Sequence, residues 1–175
     1  MKRLIYTLCL IIGCATLSEA KVLTGHKTRL TDNWLYLRGD IGNIWEAVRP
    51  AAPGSSECVP LWTPVTLPHC FNATDPDMNY YQGPGWYKTL LDIQNPYPNG
   101  RILLDFEGAG QKTEVYIYTT RVASHIGGYD EWTADITEAV QAFVSTPECV
   151  QRFGGKVPLS IRCDNSRDAE MIPSD

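Results

Sequence analysis

The chain has 175 residues, of which 43% are hydrophobic and 20% are charged, and this composition is that of one ordinary globular domain. It is too short for an eight-stranded α/β barrel, which takes about 250 residues. Its 15 basic and 20 acidic residues give a net charge of −5, and no basic block occurs. Because nucleic acid and anionic lipid surfaces are bound by clustered cations, we expect neither as a partner.

The first 20 residues have the pattern of a secretory signal peptide. Two basic residues precede an apolar run, 4–13, and Ser18 and Ala20 place small residues at the −3 and −1 positions of a cleavage site. The run is too short to span a bilayer. A second interpretation is a lipoprotein signal, because 11–14 resembles the bacterial lipobox, in which the cysteine, here Cys14, carries lipid. Both predict an exported protein that is periplasmic, secreted or on the outer surface, and only lipidation would attach it to a membrane.

Strand patterns dominate the first half of the mature chain. A short strand is predicted at 34–38, followed by a long surface loop at 49–60 that is rich in proline, alanine, glycine and serine. The segments 87–93 and 101–107 are predicted strands, the second with clean alternation of apolar and polar residues. Asn-Gly at 99–100 lies between them and predicts a hairpin turn, since both residue types tolerate positive φ.

The second half continues this organisation. Alternation predicts strands at 114–119 and 156–163, and a shorter strand is predicted at 132–135. One helical turn is expected at 135–140, and 145–155 is interpreted as a second surface loop. Antiparallel strands separated by short turns indicate a single all-β domain of the sandwich or jelly-roll type.

The mature chain contains a small set of cysteines: Cys58, Cys70, Cys149 and Cys163. In an exported protein they can form disulfides, with three full pairings open, and we expect at least one. Cys163 lies in a strand pattern and can equally be a buried thiol. The cysteine and histidine spacings match no zinc site, so no metal and no other cofactor is expected.

An ordered set of short motifs identifies a known family. The motifs are Leu67-Pro68-His69, Tyr80 to Tyr87, Leu104 to Ala109, Glu114 to Tyr118, Gly127-Gly128-Tyr129, Asp135-Ile136-Thr137 and Ile161 to Ser166. Together they resemble the N-terminal domain of glycoside hydrolase family 2, which includes β-galactosidases, β-glucuronidases and β-mannosidases. The resemblance runs from about Trp34 to the end of the chain. It departs from the family at 119–121, where an Asn-Gly turn is usual.

The resemblance implies a fold and a domain order. Residues 21–165 would form a galactose-binding-like jelly-roll β-sandwich, antiparallel, with at most short helical turns. Residues 166–175 would be a truncated linker toward an immunoglobulin-like domain and a TIM barrel. In the family the barrel carries both catalytic carboxylates. The resemblance therefore implies a glycosidase segment that has no catalytic residue of its own and is inactive alone.

Two sets of residues within the chain have the side-chain types of a catalytic site. Retaining glycoside hydrolysis needs two carboxyl groups about 5–5.5 Å apart. Asp105 and Glu107 share one strand face at about 7 Å and are interpreted as solvated surface charges. Ser124, His125 and Asp130 have the residue types of a catalytic triad, but neighbouring strand residues point to opposite faces, so we expect no triad.

Sugar-binding candidates come from aromatic residues and from the resemblance. The chain has five tryptophans and nine tyrosines, and exposed rings can stack on sugars, although most tryptophans in such a domain fill the core. Tyr81 and Trp86 are candidates because they flank a Gly-Pro-Gly segment. The resemblance adds Asp164 and Asn165, and Asp175 lies near the position expected for the acidic residue that approaches the sugar.

These observations predict the N-terminal, non-catalytic domain of an exported family-2 hydrolase of the β-galactosidase type. Its partners would be the catalytic barrel, which it braces, and a β-galactoside-like oligosaccharide bound by the complete enzyme. One alternative is a stand-alone carbohydrate-binding module with no hydrolase in the same chain. Another is a cell-surface β-sandwich attached through Cys14.

Overall fold

The structure is a computed structural model that describes residues 26–49, 62–72, 81–95 and 99–167. The predicted leader with Cys14, nearly all of the loop predicted at 49–60 with its Cys58, and Asp175 lie outside these ranges.

Eight strands and three helices occupy the described ranges. The strands are β1 (Trp34–Arg38), β2 (Thr63–Val65), β3 (Pro84–Leu91), β4 (Leu103–Phe106), β5 (Lys112–Ile117), β6 (Thr120–Ile126), β7 (Trp132–Asp135) and β8 (Val157–Asp164). The helices are α1 (Ile44–Val48), α2 (Thr137–Val144) and α3 (Pro147–Phe153).

The strands form two antiparallel sheets. Six strands pair in the order β2-β1-β3-β8-β5-β6, and β4 pairs with β7 in a separate two-stranded sheet. Strands distant in sequence are neighbours in the large sheet, since β8 lies between β3 and β5. The prediction of an all-β, antiparallel domain is therefore confirmed for the described part of the chain.

One contiguous core lies against the large sheet. It is made of apolar and aromatic side chains from the strands and from the two longer helices: Trp34, Tyr36, Tyr87, Leu91, Val115, Ile117, Ile136, Val140, Phe143, Cys149, Phe153, Val157, Leu159, Ile161 and Cys163. Burial of each large apolar side chain stabilises the fold by about 1.5–3 kcal/mol. We call the sheet face that carries this core the inner face.

Strand β8 is buried on both faces, which the alternating pattern alone did not predict. Its residues from Val157 to Ile161 are all buried, including the proline and the serine that alternate with the apolar positions. Helix α1 contacts β3 and β8, and its Ala47 and Val48 are buried outside the core cluster. The outer face of the sheet is therefore partly covered by this short helix.

The helices are longer than the sequence predicted. The single turn expected at 135–140 is helix α2, which runs to Val144, and the prediction of a loop at 145–155 is wrong because α3 occupies most of it. Cys149 and Phe153, four residues apart, bury one face of α3 in the core. Pro147 begins this helix and Gly154 ends it at φ 61°, a conformation that favours glycine.

The described cysteines are all free thiols. Cys70 is exposed, whereas Cys149 and Cys163 are buried, and burial raises the pKa of the Cys163 thiol to about 11. No disulfide links these three, so none of the expected pairings among Cys70, Cys149 and Cys163 is found in the described residues. Across the four described ranges, no helix is long and apolar enough to cross a membrane.

The central position of β8 makes a specific stability prediction. Leu159 is 1% exposed, so replacing it with alanine should lower the free energy of unfolding by about 2–5 kcal/mol, because the cavity cannot fully collapse. Leu90 on the neighbouring strand is 49% exposed and serves as the control, with an expected loss under about 1 kcal/mol for the same change. Urea unfolding of both variants measures the difference, and equal losses would contradict this account of the core.

Candidate functional site

The chemistry-bearing residues gather on the outer face of the large sheet, near the ends of β3 and β8. Trp86 in β3 is the register partner of Arg162 in β8, and Arg162 is also opposite Glu114 in β5. Residues opposite each other in a sheet project from the same face. Asp40, which follows β1, and Asp164, at the end of β8, complete the group. We call Asp40, Trp86, Arg162 and Asp164 the Arg162 cluster.

Arg162 joins the two carboxylates of this cluster. Its Nη2 lies 3.0 Å from Asp40 Oδ2 and 3.0 Å from Asp164 Oδ2, and its side chain is only 20% exposed. The indole N–H of Trp86 donates to Asp40 Oδ1 at 2.8 Å, and the backbone N–H of Ser166 donates to Asp164 Oδ1 at 2.9 Å. Each carboxylate thus has a partner on both oxygens.

The electrostatics keep the cluster charged. Burial would raise the pKa of Asp40, but hydrogen bonds from Arg162 and Trp86 outweigh it and the pKa is lowered. Burial would likewise raise the pKa of Asp164, but hydrogen bonds from Ser166 and the charge of Arg162 lower it. A general acid at neutral pH needs a raised carboxyl pKa. Neither carboxylate is suited to that role, and the cluster is a fixed ionic network.

Asn165 connects the end of β8 to the segment before β3. Its Oδ1 accepts from the backbone N–H of Gly83 at 2.8 Å, and its Nδ2 donates to the carbonyl of Tyr81 at 3.1 Å. Its backbone N–H donates to the carbonyl of Gly83 at 3.3 Å. We call these three hydrogen bonds the Asn165 clamp. They fix the chain after β8 against residues 81–83.

Tyr81 is held from several sides within this arrangement. Its hydroxyl donates to the carbonyl of Pro84 at 2.8 Å, and its backbone N–H donates to Asn72 Oδ1 at 3.2 Å. The guanidinium of Arg38 lies 5.2 Å from the ring centroid, a cation–π distance. Gly83 has φ +150°, and a Cβ there would come within 2.8 Å of the Tyr81 hydroxyl, so only glycine fits.

An aromatic group lies under this end of the sheet, on the inner face. Tyr36 is at its centre, with ring centroids 4.7 Å from His69, 5.5 Å from Phe71 and 5.0 Å from Tyr87. His69 Nδ1 is 2.8 Å from the Tyr87 hydroxyl. Burial, with the nearby Arg38 charge, lowers the pKa of His69, so the folded state favours the neutral ring.

The structure brings four of the five sequence-predicted sugar-binding candidates to one end of β3 and β8: Tyr81, Trp86, Asp164 and Asn165. Their role in sugar binding stays a prediction, and the structure shows their contacts with neighbouring protein groups. Trp86 is 4% exposed, with its N–H bonded and its ring 5.6 Å from Tyr116, so its face is not open to a sugar in this structure. Asp164 and Asn165 use their polar atoms on neighbouring protein groups.

Sequence reasoning missed Asp40 and Arg162. The two are 122 positions apart, and no local pattern connects them. A partial signal was available, because Arg162 and Asp164 alternate along one strand and therefore share a face. The position of Asp40 directly after β1 becomes informative only once β1, β3 and β8 are known to be neighbours.

The other chemical candidates remain apart from this site. Asp105 lies 3.3 Å from Lys27, and Glu107 pairs with Arg29, both as exposed surface ion pairs, which agrees with the interpretation as solvated charges. His125 Nε2 is 2.9 Å from Asp130, but no hydrogen bond from Ser124 completes a triad in the described part of the chain. Those same residues contain no group of histidine, cysteine or acidic side chains that could hold a metal.

Comparison with known proteins finds similarity to several β-glucuronidases, although no family model matches the chain. A protein of Formosa agariphila provisionally named a β-glucuronidase is 37% identical over 151 residues, which is 85% of this chain and 16% of that protein. The solved structure of a β-glucuronidase from Parabacteroides merdae, with glycerol in its active site, is 73% identical over 85% of this chain and 19% of that chain, with a TM-score of 0.78. Bacteroides uniformis β-glucuronidase 3 is 68% identical over 86% of this chain and 20% of that chain, with a TM-score of 0.80. The chain thus spans about a fifth or less of the length of each of these relatives.

The environment of His69 predicts a pH dependence of stability. An unfolded histidine has a pKa near 6.5, whereas the pKa of folded His69 is lowered. Below about pH 6.5 the unfolded state therefore binds more protons at this histidine than the folded state does. The free energy of unfolding should therefore fall as the pH drops from 7.5 to 5.5, by at most about 1.4 kcal/mol per pH unit from this group.

Replacing His69 with glutamine should reduce that fall, as measured by urea unfolding at several pH values. The control is His26→Gln, at an exposed histidine, which should leave the pH dependence close to that of the wild type. If His69→Gln retains the wild-type slope, His69 does not titrate differently in the folded state.

Proposed function

This chain belongs with the β-glucuronidases and β-galactosidases of glycoside hydrolase family 2, and on that premise we propose that it is the N-terminal, non-catalytic domain of an exported glycosidase. Its jelly-roll sandwich would brace a catalytic barrel and line one side of the sugar pocket. The observation that carries the proposal is identity of 68–73% to β-glucuronidase structures over 85–86% of this chain.

We infer that the substrates of the complete enzyme are β-glucuronides. The sequence led us to expect the β-galactosidase type. A β-galactosidase of Thermoanaerobacter pseudethanolicus is 31% identical over 44% of this chain, a weaker match than the β-glucuronidases above. The higher identity and coverage of the β-glucuronidases favour a sugar that carries a carboxylate over a neutral galactoside.

The role of this domain in such an enzyme is positional. Retaining hydrolysis requires a pair of carboxyl groups on either side of the glycosidic bond, one acting as acid and base and the other as nucleophile. The carboxylates of the Arg162 cluster are charged and fully hydrogen-bonded, so they do not supply that pair. The Asn165 clamp instead fixes the chain after β8, and by the family resemblance the acidic residue that approaches the sugar would follow farther along that chain.

Export of the protein rests on its leader pattern. Two mature N-termini are consistent with it, Lys21 after signal-peptide cleavage or a lipidated Cys14. Mass spectrometry of the mature protein from its native host distinguishes a free residue 21 from an N-terminal lipid-modified cysteine. An intact Met1 would overturn the proposal of export.

The hydrolase function is tested with the gene in its native locus. The complete reading frame should encode a barrel after this domain, and its product should hydrolyse 4-nitrophenyl β-D-glucuronide. We expect its kcat/KM to exceed that for 4-nitrophenyl β-D-galactoside by more than about 100-fold, because a site that pairs with a buried substrate group rejects an analogue that lacks it. The 175-residue chain alone should hydrolyse neither compound.

Other outcomes would replace this proposal. A complete enzyme that prefers the galactoside would overturn the glucuronide assignment and leave the domain assignment in place. A reading frame without a barrel, combined with saturable sugar binding by the chain alone, would instead support a stand-alone carbohydrate-binding module.

A further inference from the structure

An arginine occupies the middle of the outer sheet face, where stability alone gives little reason for one. Strand β8 pairs on both sides, with β3 and β5, and Arg162 projects from it with a side chain that is 20% exposed. Removing a guanidinium and its carboxylate partners from water costs free energy that their attraction often fails to recover. Apolar residues in place of such a group are often neutral or stabilising. The presence of an arginine at this position is therefore better explained by the segments that it holds in place than by a contribution to stability.

Arg162 holds together two segments that are far apart in the sequence. On one side is Asp40, which also accepts from the backbone N–H of Ile41 at 3.0 Å and so shapes the turn between β1 and α1. On the other side is Asp164, which accepts from the backbone N–H of Ser166. We call the residues from Asp164 to Ser166 the exit turn, because the chain leaves β8 through them.

The contacts form a continuous path from the buried sheet to the exit turn. Trp86, which is buried, fixes Asp40, Asp40 fixes the guanidinium of Arg162, and the guanidinium fixes Asp164. Asp164 orients the backbone of Ser166, and Asn165 between them makes the clamp to residues 81–83. The exit turn is therefore held in two places, by the Asn165 clamp and by the contact of Arg162 with Asp164.

We propose that Arg162 is a positioning residue of the complete enzyme, which holds the exit turn against Asp40 and thereby sets the direction in which the chain leaves β8 toward the sugar pocket. This inference rests on the proposed function. Lysine is a poor substitute because its ammonium is a compact point charge, without the planar set of donors that lets a guanidinium hold two carboxylates in a fixed geometry.

The test compares two arginine-to-lysine variants of the complete enzyme. Arg162→Lys should lower kcat/KM by about 10–100-fold, since a displacement of about 1 Å in a positioning group can cost 100-fold. The matched control is Arg29→Lys, at an exposed arginine that pairs with exposed Glu107 away from the Arg162 cluster. The control should keep kcat/KM within about twofold of the wild type, because exposed ion pairs contribute little.

A second variant separates positioning from loss of folding. Asp40→Asn keeps an oxygen that can accept from Trp86 but removes the charge that faces Arg162, at a side chain that is 50% exposed. Assayed well below its melting temperature, where the enzyme is fully folded, it should lower kcat/KM several-fold. In the double variant of Arg162→Lys and Asp40→Asn, the loss should be close to that of Arg162→Lys alone, because both changes act through one contact.

Two results would overturn the positioning role. One is a folded Asp40→Asn enzyme with wild-type kcat/KM. The other is a loss in Arg162→Lys that matches the control or that is accounted for by a lower melting temperature. These ratios are measured with whichever β-glycoside the wild-type enzyme hydrolyses. A failure of the glucuronide assignment is therefore seen in the wild type and stays separate from the comparison of variants.

Discussion

The pairing of β8 between β3 and β5 is the constraint on which the rest of the described structure depends. It joins the last strand of the described residues to the middle of the sheet, through eight register pairs with β3 and six with β5. Because it is central, its inner residues complete the core and its outer residues meet α1 and Asp40. The same strand that closes the fold therefore carries the arginine and the aspartate of the candidate site.

The inner face of β8 stabilises the fold, whereas its outer face fixes the position of the segments that contact it. The inner face is apolar, and its contribution follows from the area that it removes from water. The outer face carries charges whose net contribution to stability is small, because desolvation offsets their attraction. What those charges provide is a defined geometry at the end of the strand.

Local patterns in the sequence were sufficient for most strands and insufficient for the site. Alternation is a property of neighbouring residues, so 114–119 and 156–163 were predicted close to where β5 and β8 lie. Helix α3 is missed because 145–155 is interpreted as a loop, although Pro147 and Gly154 are residue types that also mark the beginning and end of a helix. The contact of Asp40 with Arg162 depends on strand order, which no local pattern contains. The family resemblance found Asp164 and Asn165 without their partners.

The free thiols have a consequence for how the protein can be made. The described part of the fold is held by strand pairing and apolar packing, and no sulfur bridge links Cys70, Cys149 and Cys163. A reducing agent therefore has no bond among these three to break, and it can be present during purification without loosening the described sheet through them.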